Sequence, residues 1–478
     1  MSNSLHRKYD LFTTICMVVG IVIGSGVFFK AQTILERTGG DMPLGILAWC
    51  IGGAIMLVCL LTFSFMGQKY ERVNGLVDYA EATVGSRYGY YVGWFSATIY
   101  FPAMTSVLAW VSARYTLVFL TEAFPQFPMT ISGPLGCLVG PECMVLTLVY
   151  LCGCYFMNSL SPKLAGKFQA GTTIVKMIPL ILMVLGGVII GLISGILPEN
   201  LATGDQSVAI AGNSILESPL FAAVCSTAFA YEGWIIATSI NAEIKDSKKN
   251  LPRALIWGGL IIAFIYISYY IGVAGGAPIS ELIEKGATIA FSNLFGSFLG
   301  NVLNLFIAIS CLGTLNGLML GCSRCMYAIA IRGEGPAPSV YSQVDSQTNM
   351  PTNSSAFALL MTTLWFLYFY VTNLYLPIVA GVEGQPFMFD SSELPIITIY
   401  LMYLPILIRW VIKEKNQSVL RRYVLPILAM LGSIFMVIAS IFSHRMGCLW
   451  YLIIFAVIMF LGYLANRHKN KKSVLTDA

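Results

Sequence analysis

Apolar residues in this chain neither alternate with polar ones at the period of a strand nor mark one face of a surface helix. They come in blocks of about 20 residues or more, each long enough to cross a bilayer as a helix, separated by short polar segments. The pattern predicts twelve spans, at 11–36, 43–67, 85–120, 141–160, 166–193, 218–240, 253–276, 294–331, 354–379, 394–413, 422–443 and 446–465. The third and eighth blocks are long, which calls for tilt or for helix extending beyond the bilayer. The first block follows a short polar start, lacks a small-residue cleavage site, and reads as a first membrane helix rather than a cleaved signal.

The basic residues orient these spans. With the N-terminus inside and the spans alternating, 22 of the 28 Lys and Arg residues fall in inside segments, among them Arg7, Lys69, Lys163, Lys245, Arg332 and Arg421. Only Lys30, Arg37, Lys285 and Arg445 fall outside, and Arg114 and Lys176 lie within spans. So strong an asymmetry would not survive one missed or extra helix, and it puts both termini in the cytoplasm. The segments become a cytoplasmic N-terminus at 1–10, a first block of five spans at 11–193, a second at 218–413, two further spans at 422–465 and a cytoplasmic tail at 466–478.

Composition agrees and removes other classes. Of 478 residues, 57% are hydrophobic and 11% charged, about half the charge of an ordinary soluble protein. Disorder, coiled coil and nucleic-acid binding are excluded together, and the net charge of +5 is the sum of the loop asymmetry. The twelve cysteines lie mostly inside apolar runs, where Cys packs as a small hydrophobe. Only three histidines exist, and no Cys–His set with zinc spacing is present. The sequence thus implies neither a cofactor nor a metal. GxxxxGK[ST] is absent, which argues against ATP-driven pumping by this chain. No Ser–His pair or metal cluster supports an intramembrane enzyme, and no polar stripe supports a channel.

Two spans carry interruptions. The first contains Val22-Ile23-Gly24-Ser25-Gly26, three small residues in succession at mid-membrane depth, where a helix is weakened. The sixth contains Phe229-Ala230-Tyr231-Glu232-Gly233, a carboxylate and a glycine in an apolar run. Each opens one five-span block, and paired interruptions in two halves point to an inverted-repeat transporter with its site between them. A break frees N–H groups on one half-helix and carbonyls on the other, a match for the carboxylate and ammonium of a zwitterion. Close helix packing by small residues is the plainer reading of the glycines. Lys176, well inside the fifth span, is an intramembrane charge and hence a candidate for coupling or gating, or a structural cation among unwound carbonyls. Glu232 reads as a ligand for a cationic substrate or as a hydrogen-bonded or protonated carboxyl. Asn316, mid-span in the eighth, is a gating candidate whose plainer role is interhelical hydrogen bonding.

At these residues the sequence resembles the amino acid–polyamine–organocation (APC) superfamily, and within it the L-type amino acid transporter (LAT) group and its bacterial relatives. The ordered set comprises Ile23-Gly-Ser-Gly-Val-Phe28, Gly75-Leu-Val-Asp-Tyr79, Tyr100-Phe-Pro102, Phe229-Ala-Tyr-Glu-Gly-Trp234, Glu243-Ile-Lys-Asp246, Asn250-Leu-Pro-Arg253 and Leu312-Gly-Thr-Leu-Asn-Gly317. The resemblance implies an all-α integral membrane protein of the LeuT type, with two inverted five-helix repeats, two further helices, and spans one and six unwound at mid-membrane. It implies that backbone at Ser25 and Gly26 holds the substrate carboxylate and that carbonyls of Val22, Phe229 and Glu232 hold the amino group. Phe229 matches an aromatic that closes the site outward. Lys176 matches a lysine standing where other members bind sodium. Glu232 departs from the glycine common in animal members, and Ile235 from a common polar residue.

The function so implied is a sodium-independent secondary amino acid transporter in the cell membrane, an exchanger or proton-coupled, working by alternating access on a neutral L-amino acid. The alternatives are a cationic amino acid or polyamine carrier using Glu232, and the light subunit of a heteromeric transporter. For the last, Cys137 lies in the loop where animal members join a heavy subunit through a disulfide.

Overall fold

In a computed structural model, described here for residues 7, 9–70, 74–202, 218–382 and 384–476, the chain is helical throughout. Among the described residues, twelve helical spans are long and apolar enough to cross a membrane: Leu11–Arg37, Met42–Lys69, Ser86–Ala123, Pro134–Leu160, Pro162–Ser194, Pro219–Thr238, Ser247–Ala274, Ser297–Ala330, Thr352–Val379, Leu394–Lys413, Leu420–Phe442 and Met446–Asn466. All twelve expected blocks are present.

Local chemistry sets several starts. Asp10 caps span one, accepting from the Thr13 amide at 2.8 Å. Asp41 does the same for span two through Leu44 at 2.8 Å, with a proline in its first turn. Ser218 and Pro219 open span six. Short polar acceptors satisfy amides that the first turn leaves free, and proline at the start loses no hydrogen bond.

Some boundaries differ from the sequence pattern. Span seven begins at Ser247 and span five at Pro162, because polar residues there extend each helix beyond its apolar block. A short helix, Pro134–Val139, precedes the main helix of span four. The last helix runs from Met446 to Thr476, through the segment read as a tail. Residues 203–217, within the longest loop, lie outside the described residues, as do residues 1–6 and 8 of the N-terminal segment.

Spans one, six and eight are the most buried. The N-terminal half of span one packs among spans five, seven and eight, and its C-terminal half packs along the N-terminal half of span six. Span two packs along spans six and seven, and span eight along span three. Span twelve lies at the periphery.

Candidate functional site

The first span is two helices, Leu11–Val22 and Gly26–Arg37, separated by Ile23, Gly24 and Ser25. The sixth is also two: an α-helix, Pro219–Tyr231, and a 3-10 helix, Trp234–Glu243. Glu232 is extended and Gly233 has φ +108°, a conformation that turns the chain between them and favours glycine. The 3-10 form of the second half was not legible in the apolar pattern.

The two breaks meet. A Cβ placed on Gly26 would lie 2.7 Å from the Cα of Ala230, so the backbones touch there only because position 26 has no side chain. Helix Gly26–Arg37 begins with amide groups that have no partner within the helix, and helix Pro219–Tyr231 ends with carbonyls that have none. The first end carries partial positive charge and the second partial negative charge.

Between them lies a void of about 20 Å³, lined by Val22, Gly24, Ser25, Gly26, Phe229, Glu232 and Gly233. Seven of the residues singled out in the sequence therefore share one wall. The remaining wall comprises Ile21, Met104, Leu108, Ile236, Thr314 and Leu318, which the sequence did not single out. Ile23, Ala230 and Tyr231 do not line it. Ile23 offers its carbonyl to Lys176, Ala230 packs on Gly26, and the Tyr231 hydroxyl turns away to donate to the Trp49 carbonyl at 3.0 Å.

Lys176 is fully buried and saturates its ammonium on three carbonyls: Gly20 at 2.8 Å, Ile23 at 2.5 Å and Ser310 at 3.1 Å. An ammonium has three donors, and all three are used. Two of the acceptors belong to the unwinding end of span one. Hydroxyls complete the set: Ser310 reaches the carbonyls of Ile23 and Gly24 (both 3.2 Å), Thr314 those of Gly20 and Ile23, and Tyr266 that of Val22 at 2.9 Å. Ser310 and Thr314, four residues apart on span eight, were a legible signal, since that spacing puts both on one helix face.

Glu232 is buried, and its Oε1 accepts from the Tyr100 hydroxyl. Its Oε2 has no hydrogen-bond partner. Tyr100 ends a π-helical stretch, Ser96–Tyr100, in span three, a distortion often found at functional sites. Asn316 lies elsewhere: it donates to Gln169 Oε1 at 2.9 Å and the Ala165 carbonyl at 3.2 Å, and accepts from Asn158 at 2.9 Å. It ties spans four, five and eight together, its plainer reading.

Above the void, on the face opposite the termini, a second cavity of about 600 Å³ opens outward. Phe229 and Ser25 line both cavities. Lys30 Nζ lies 5.2 Å from the centre of the Phe229 ring and pairs with Glu393 at the start of span ten. Burial works against the charged Glu393 carboxylate, but the Lys30 ammonium and the His444 imidazole outweigh it and hold its pKa well below the usual range.

The termini face is closed. Tyr9 pairs with the end of span six, its amide donating to the Glu243 carbonyl at 3.0 Å and its carbonyl accepting from the Lys245 amide at 2.8 Å. Glu243 forms a wholly buried ion pair with Arg324 of span eight. Arg332 bridges Asp78 and Glu81. The N-terminal segment read only as a polar start thus takes part in this closure.

These features are those of a secondary transporter caught with one side open. The amino acid permease family model matches residues 9–463, and the chain belongs to that family. It is 28% identical to the serine/threonine exchanger SteT of Bacillus subtilis over 93% of this chain and 94% of that protein. It is 24% identical to the large neutral amino acids transporter small subunit 2 of Rattus norvegicus (93% and 78%) and 26% identical to the human cystine/glutamate transporter (73% and 65%). The chain is a multi-pass amino acid transporter of the APC superfamily, not an enzyme.

Proposed function

We propose that the chain is a sodium-independent exchanger of small neutral L-amino acids. The observation that carries this reading is the meeting of two oppositely polarised half-helix ends at one void. The substrate carboxylate binds the amides at Ser25 and Gly26, and the ammonium binds carbonyls of Val22 and of Phe229–Glu232. The side chain points toward Met104, Leu108, Ile236 and Leu318, apolar neighbours around little space. Lys176 supplies a fixed positive charge to the unwound carbonyls of span one, so that no sodium ion is needed there. Its three filled hydrogen bonds favour a fixed cation, and with it exchange rather than proton symport.

The two five-span blocks, 11–193 and 218–413, are the inverted repeats that rock about this site, with 422–465 outside them. The protein sits in the plasma membrane with both termini cytoplasmic, which makes the open cavity extracellular. It works without a heavy subunit: Cys137 is buried in a short helix, beside the Thr121 hydroxyl, and is poorly placed for a disulfide to another chain. A cationic substrate is the second reading, supported by the unpartnered Oε2 of Glu232.

The test is radiolabelled uptake by the purified chain in proteoliposomes, with and without internal amino acid, against all twenty competitors. Preloading should accelerate uptake, and serine, threonine or alanine should compete best. Strongest competition by arginine or polyamines would install the Glu232 reading instead. Uptake indifferent to every amino acid would overturn both.

A further inference from the structure

The rim of the outer cavity holds a side-chain cluster that the substrate site does not use. Asp390, Glu393 and His444 each offer one ligand atom, and these atoms all lie within 4.8 Å of one another. All three residues line the cavity of about 600 Å³. They come from two elements, the turn before span ten and the end of the helix Leu425–His444.

The turn is held in place. Asp390 Oδ1 accepts from the amides of Ser392 (2.7 Å) and Glu393 (3.1 Å) and from the Ser392 hydroxyl (2.5 Å). Ser391 is bound through its amide and hydroxyl to Asn373 Oδ1, at 3.2 and 3.0 Å, and Asn373 Nδ2 donates to the Phe389 carbonyl at 2.8 Å. Glu393 divides its carboxylate: Oε1 faces Lys30 Nζ at 2.5 Å and Oε2 faces His444 Nε2 at 3.1 Å.

We propose that Asp390, Glu393 and His444 form a binding site for a divalent transition metal of the Zn²⁺ class on the rim of the outer cavity, and that its occupancy slows transport. One imidazole nitrogen with two carboxylate oxygens is a donor set that suits Zn²⁺ better than Mg²⁺ or Ca²⁺, which prefer oxygen alone. Three protein ligands leave a fourth position for water from the cavity. The metal replaces the hydrogen bond between His444 and Glu393, while Oε1 keeps Lys30. It thereby joins the ends of spans ten and eleven and pins Glu393, and through it Lys30, which stands over Phe229.

Lys30 and Arg37, both lining the same cavity, oppose a further positive charge, so the site is one of moderate affinity.

The test is equilibrium dialysis of the purified full chain against Zn²⁺ in excess Mg²⁺, for the parent, His444→Gln and Asp390→Asn. Each variant should bind one Zn²⁺ fewer per chain than the parent. Equal binding by all three would overturn the site and leave zinc to the exposed Cys50 and Cys152. A second arm, which rests on the proposed transport activity, adds Zn²⁺ outside proteoliposomes during amino acid exchange. The parent should slow several-fold and recover with a chelator. His444→Gln and Asp390→Asn should exchange at the parent's metal-free rate with zinc present or absent. A variant that loses the ion in dialysis yet is slowed like the parent would overturn the link to transport, and the dialysis result would stand by itself.

Discussion

The two breaks at the centre of the protein are held by different means. In span one, the carbonyls of Gly20, Val22, Ile23 and Gly24 are met by side chains from other spans: Lys176 of span five, Tyr266 of span seven, and Ser310 and Thr314 of span eight. In span six, the turn is made by backbone conformation, with Gly233 at φ +108° and a 3-10 helix after it. The first break depends on its neighbours, while the second is largely built into its own sequence. In a transporter that difference matters. A break clamped by five, seven and eight senses their positions, whereas a self-made break can keep its shape as those helices move.

Where the two breaks touch, the effect of substitution should be largest. Gly26→Leu drives a side chain into the backbone at Ala230, a contact already at 2.7 Å for a Cβ alone. Transport should be abolished while the protein still reaches the membrane, read by uptake and surface labelling. Normal uptake would place the site elsewhere.

Lys176→Ala comes next. It strips the ammonium from three buried carbonyls, which keep hydroxyl contacts at 3.2–3.3 Å, and a hydrogen bond from a charged group is worth about 1.5–3 kcal/mol. Substrate affinity or exchange rate should fall at least roughly tenfold. Lys176→Arg should not restore it, because a planar guanidinium does not fit three converging carbonyls. If Lys176→Ala matched the parent in binding and turnover, the neighbour-held picture of span one would fail.

Gly233→Ala probes the other break. An L side chain in this left-handed turn costs about 1–2 kcal/mol, and its Cβ would meet Ile21 Cγ2 at 3.1 Å. A roughly tenfold loss of exchange is expected. An effect as severe as that of Gly26→Leu would show that span six also relies on its neighbours.

Tyr266→Phe removes one neutral hydrogen bond to Val22, worth about 1 kcal/mol, and should weaken substrate binding about fivefold. Smallest of all is the response to sodium. Replacing it with choline at constant pH and potential should leave uptake unchanged, because Lys176 already occupies the carbonyls that an ion would use. A large loss would mean that the charge of Lys176 does not suffice.

The membrane class, the twelve spans and the positions of both interruptions were legible in the sequence. Bilayer thickness fixes span length, and a glycine or charge in an apolar block is visible without a fold. The sequence also flagged Lys176 and Glu232, since intramembrane charge is rare. Tertiary structure alone decided what each charge meets. Lys176 faces residues 156, 153 and 134 positions away in the chain, and periodicity carries no such pairing. The same holds for Tyr266 on Val22, for Tyr9 against Glu243, and for Lys30 with Glu393, which read only as an outside lysine. The 3-10 form of Trp234–Glu243 was hidden too, because its apolar residues Trp234, Ile235, Ile236 and Ala237 are all buried and show no face from which to read a period. Asp390 and Glu393 share one turn, but His444 stands 51 positions beyond Glu393, and it joined them only when the ends of spans ten and eleven were brought to one rim.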